Sequence, residues 1–163
     1  MKGKLIWPIF WALVAVFVVV AATISVGAPI LGRLEVPAFF RALFIGTEAL
    51  FGLGMLGLGV TLLVMAARAK LKKMLKAFLL LTGASAVGML TFALLHNLVY
   101  ALFIYFFGEG FWGGIGGDEP VFFIMAVCVC PLAFLVGAIG SIVLKFWKVK
   151  KSPSKARTRR KRA

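Results

Sequence analysis

Glu48, the pair His96 and Asn97, and the thiols Cys128 and Cys130 are the side chains whose chemistry asks for an explanation, because each interrupts a long apolar run. Carboxyl, imidazole and thiol groups serve as acids, bases, ligands and nucleophiles. Inside hydrocarbon each is costly, and there such groups are as a rule paired or functional. Glu48 lies seven residues past Arg41, about 10 Å into an inward-running helix at 1.5 Å per residue. At that depth a carboxyl group is expected to be neutral or partnered. Helical periodicity puts Gly52, Met55 and Gly59 on its face, so one stripe is both polar and small enough for another helix to approach closely. The first reading of Glu48 is a hydrogen bond to a neighbouring helix; the second is proton or cation binding.

On a helical net Thr82, Ser85, Met89, Phe92, Tyr100 and Phe103 fall within about 40° of His96. This face is expected to point into a bundle. A lone histidine reads first as a packing partner, since an axial haem ligand would need a second that the sequence does not supply. Cys128 and Cys130 point about 200° apart in a helix, so they cannot bond unless Pro131 distorts the backbone; they read as small apolar packing. Glu48, His96 with Asn97, and Cys128 fall at similar depth on three helices, the geometry that a shared polar pocket would need. With one histidine, no Gly-x-Ser-x-Gly, no His-Glu-x-x-His and no repeated Cys-x-x-Cys, hydrolase and zinc-protease chemistry is disfavoured. Neither a cofactor nor a metal is expected.

The elements that must position these residues follow from hydropathy. Of the 163 residues 63% are hydrophobic and 15% charged, with mean hydropathy +1.06, against about 25% charged in soluble domains. Four apolar runs, 5–30, 42–67, 77–107 and 121–144, contain a single charge, Glu48. Each exceeds the roughly 20 residues that cross a hydrocarbon core. The expected fold is an all-α integral membrane protein, four transmembrane helices in an antiparallel bundle over 1–147, followed by a disordered basic tail over 148–163. The third run, at about 46 Å, must tilt, kink or protrude.

Seventeen of the nineteen basic residues flank one side of this arrangement, and only Arg33 and Arg41 the other. Basic flanks stay in the cytoplasm, which places both termini there in a multi-pass protein of the cell membrane. The tail residues Lys150, Lys151, Arg157, Arg159, Arg160 and Arg162 are expected to meet anionic lipid headgroups; nucleic acid is an unlikely partner, with no aromatic past Trp147 to stack on bases. The first apolar run is longer than the 7–15 residues of a signal peptide and reads as a retained helix, ended by Gly27 and Pro29. The outer connection GEGFWGGIGGDEP lacks the Lys and Ser/Thr of a phosphate loop and reads as a flexible turn, with Phe111 and Trp112 at headgroup level.

Small residues mark the packing faces: Gly52 and Gly59 on the second helix, Ala84 and Gly88 on the third, and Ala133, Gly137 and Ser141 with Gly140 on the fourth. These stripes suit contacts within the bundle or between copies, so a homo-oligomer or another membrane protein is a candidate partner. The expected function is that of an accessory, scaffolding or assembly protein acting through helix and lipid contacts. The alternative is a small oligomeric solute or ion transporter using Glu48 as its coupling carboxylate.

Overall fold

The computed structural model describes residues 5–33, 36–114 and 120–150, and every regular element among them is helical. In chain order these are α1 (Ile6–Ala22), a π-helical turn (Thr23–Gly27), α2 (Ala28–Arg33), α3 (Ala38–Arg68) and α4 (Lys73–Phe107). Then follow α5 (Phe111–Gly114), α6 (Pro120–Ile124), a second π-helical turn (Met125–Val129) and α7 (Cys130–Lys150). Four stretches are long and apolar enough to cross a membrane: Ile6–Gly27, Ala38–Arg68, Lys73–Phe107 and Pro120–Phe146. This is the make-up of a multi-pass membrane protein. Of the tail, Lys151, Arg157, Arg159, Arg160 and Arg162 lie outside the described residues, and Lys150 closes α7.

Gly27 and Pro29 do not end the first helix. The chain stays helical to Arg33 by widening one turn ahead of the proline. Proline has no N–H and its ring collides with the carbonyl four residues back, and a π turn relieves both faults without breaking the rod. Pro131 is preceded by the same device. By contrast α3 and α4, with no internal proline, run as unbroken α-helices of 31 and 35 residues, and α4 ends where Gly108 turns the chain at φ +86°.

The central helix is α4, flanked by α3 on one side and α7 on the other, while α1 leans on α3. The first and fourth spans meet through long side chains: Phe17 stacks on Phe134 at 4.2 Å between ring centroids, and Lys145 Nζ lies 3.6 Å above the Trp7 ring. The two ends of the bundle differ. At the basic end, beside the 69–72 connection, Ile6, Phe10, Leu13, Leu62, Ala66, Leu75, Leu79, Phe134 and Ala138 are buried. There Lys76 Nζ donates to the Ala67 carbonyl and so closes the end of α3, a carbonyl without an intrahelical donor. Toward the other end, where Gly108 turns, the described parts of α3 before Met55 and of α4 after Ala86 contain no fully buried side chain.

A candidate binding cavity beside Glu48

Where the packed end gives way to the open one, the four spans enclose a cavity of about 440 Å³. Its walls come from every span. The first contributes Phe17, Ile24 and Ser25, the second Glu48, Gly52 and Met55, the third Met89 and Ala93, and the fourth Ala126, Val127 and Pro131. The helical stripe read from the sequence accounts for the second wall: Glu48, Gly52 and Met55 face the cavity together, and Gly59, one turn further, touches α4. A Cβ added at Gly59 would lie 3.1 Å from the Gly83 carbonyl oxygen and 3.2 Å from the Ala86 Cβ. This approach brings α3 and α4 together below the cavity, while the larger Leu90 side chain, 3.7 Å from a Cβ at Gly52, holds them apart beside it.

Both π turns border this space. Ile24 and Ser25 belong to the first, Ala126 and Val127 to the second. The widened turns follow from Pro29 and Pro131, and such turns recur at functional sites in helical proteins. Ser25 and Val127 each stand four residues before a proline, so neither carbonyl has an i+4 amide to accept from. Ile24, Ser25 and Val127 remain exposed and form the mouth, whereas Met55 and Ala126 are buried at the back. The floor is Phe17, held by its stack on the buried Phe134.

Into this apolar surround projects one ionisable side chain. Glu48 is half-buried, and its Oε2 is shielded from the surface and makes no hydrogen bond to any described residue. A buried carboxyl oxygen without a partner costs on the order of 1–3 kcal/mol or more, and in native proteins such a group calls for a role or a missing partner.

The other residues singled out from the sequence lie elsewhere. His96 sits beside the Phe123 ring at 5.5 Å, toward the fourth span and away from the cavity lining. Asn97 is exposed and donates to the Ala93 carbonyl of its own helix at 2.8 Å. Cys128 is an exposed free thiol on the second π turn, and Cys130 is buried, its Sγ 2.9 Å from a Cβ built at Gly88. Among the described residues no three His, Cys, Asp or Glu side chains gather as a metal site would require. Along the His96 face, Thr82 and Ser85 are buried, Met89 lines the cavity, Phe92 stacks on Phe122, and Tyr100 stacks on Trp112.

The packing glycines behave differently from one another. At Gly137 an added Cβ would lie 2.6 Å from Thr82 Oγ1 and 2.8 Å from the Thr82 backbone nitrogen, so α7 meets the backbone of α4 there. Ser141, one turn on, is fully buried. Gly83, absent from the sequence-derived stripes, makes the partner contact to Gly59, while Ala84 points outward. The missing signal is rotational: Ala84 and Gly88 are spaced by four, yet it is the neighbour Gly83 that meets α3. Sequence reasoning also passed over Phe17, Ser25 and Val127; the prolines four residues beyond the last two were the available sign.

The fold and the cavity together define a multi-pass helical membrane protein with a ligand-sized pocket between its spans. No family model, no curated protein and no solved structure matches this chain, so the pocket is read from its own geometry.

Proposed function

We propose that this chain is a small accessory protein of the cell membrane that acts through helix and lipid contacts, and that its working part is the Glu48 cavity, which takes up an apolar molecule from the lipid phase. The observation that carries this reading is Glu48, with its shielded and unpartnered Oε2, on the wall of an apolar space open at Ile24, Ser25 and Val127. The volume falls in the range of about 300–1,000 Å³ typical of small-ligand sites. In this reading the spans alternate in direction. The contact pairs support that, since Gly52 meets Leu90 while Gly59 meets Gly83 and Ala86. The charge bias places both termini and the 69–72 connection in the cytoplasm, and the basic segment after Lys148 rests on anionic headgroups at about 1 kcal/mol per basic residue near the surface.

A transporter with Glu48 as coupling carboxylate is the less favoured reading. Below the cavity the Phe17–Phe134 stack and the buried Leu13, Leu62 and Leu79 occupy the way to the basic end, so passage would require that core to part. The binding reading is tested in lipid nanodiscs with ¹³C-methyl methionine. Titration with neopentylbenzene, a compact apolar probe, should shift the Met55 and Met89 methyl signals saturably, and Ala93→Phe, which fills the cavity, should abolish the shift. Shifts that never saturate, or that survive Ala93→Phe, would remove the pocket from the account.

A further inference from the structure

Resting on that binding reading, we infer that the occupant of the cavity is a lipophilic organic cation, with Glu48 as its counter-charge. Three kinds of group on the walls attract positive charge, and none of them repels it. Glu48 lines the space, and its carboxyl has a shielded Oε2 without a hydrogen-bond donor among the described residues. The Phe17 ring is fixed against Phe134, and an aromatic face attracts a cation within about 6 Å, most strongly when that cation has been stripped of water. Met55 and Met89 supply polarisable sulfur and side chains that adapt to different ligand shapes,. Among the lining residues Glu48 alone is ionisable, so no Lys, Arg or His competes for the carboxylate.

The apolar remainder of the wall excludes small hydrated cations. Few oxygen ligands converge there, whereas Ca²⁺ takes 6–8 oxygen ligands and Mg²⁺ keeps several waters. A weakly hydrated ammonium or phosphonium bearing apolar groups loses little on leaving water and fills the space. The lipid phase delivers it, because the mouth at Ile24 and Val127 is on the exposed apolar side of the bundle. No covalent change is involved; the site binds and releases.

The experiment compares two probes of nearly identical shape, benzyltrimethylammonium and its uncharged carbon isostere neopentylbenzene, by the same Met55 and Met89 methyl shifts in nanodiscs. The cation should bind at least tenfold more tightly. Glu48→Gln should weaken cation binding at least tenfold and leave the isostere unchanged, while Glu48→Asp, which keeps the charge, should retain part of the preference. Equal affinities for the two probes, or cation binding indifferent to Glu48→Gln, would overturn the cation while leaving the apolar pocket in place. No saturable shift with either probe would overturn both. If the Gln variant does not fold, the ratio of the two probes on the unaltered protein still decides the matter.

Discussion

At the basic end glycine, serine and threonine let α7 approach α4 until Gly137 lies against the Thr82 backbone, whereas toward the Gly108 turn α3 and α4 present leucine and aromatic side chains to the outside. There Leu50, Leu94, Tyr105 and Phe107 face outward, with Tyr105 81% exposed. Lipid tails are as apolar as leucine, so in a membrane large aliphatic side chains gain little by turning inward; close backbone approach and van der Waals contact decide which helices adhere. The tight end therefore supplies stability, and the loose end leaves room for a cavity. The aromatic group at that far end, where Trp112 Nε1 donates to the Tyr100 carbonyl at 3.3 Å and Phe111 rests on Phe103, holds the turn against α4 without closing the bundle.

The contrast can be broken by substitution. Phe134→Ala should have the largest effect, about 3 kcal/mol or more of destabilisation by the usual measure of aromatic truncation in a core, because the side chain is buried and also supports Phe17. Equilibrium unfolding in mixed detergent measures it, and a loss under 1 kcal/mol would mean the basic end is not the stabilising one. Gly137→Ala should follow at about 2 kcal/mol, within the range for overpacking, since backbone atoms of α4, which cannot swing aside, meet the new methyl.

The matching substitutions on the other face should have the opposite sign. Around Gly54 and Gly57 an added Cβ meets nothing within 4 Å, so alanine at either position should be neutral or raise stability by up to about 1 kcal/mol through helix propensity alone. Destabilisation there comparable to that at Gly137 would reveal a contact surface for another helix, and with it the homo-oligomer considered from the sequence. A small cost is expected at the seam between the first and fourth spans. Lys145→Met removes the cation above Trp7 and should cost about 0.5–1 kcal/mol, an amount that a double-mutant cycle with Trp7→Leu separates from packing.

The amino-acid sequence by itself determined that four helices are long and apolar enough to span a membrane, because twenty or more successive apolar residues have few other uses. It also determined the register within each helix, so Glu48, Gly52 and Met55 were legible as one face, as were Thr82, Ser85 and Met89. Only the tertiary structure decided how those faces are turned toward one another. Helices that are apolar all round carry little rotational information in their composition, which is why, of Glu48, His96, Asn97 and Cys128, only Glu48 lines the cavity. The same limit applies to the prolines: Pro29 and Pro131 announce a disturbance, but whether a helix stops, kinks or widens depends on what holds its two halves. Here the Phe17 and Phe134 contact joins the first and fourth spans one to two turns from the widened segments, and continued helix on both sides keeps the backbone hydrogen-bonded, the requirement that hydrocarbon imposes on any spanning chain.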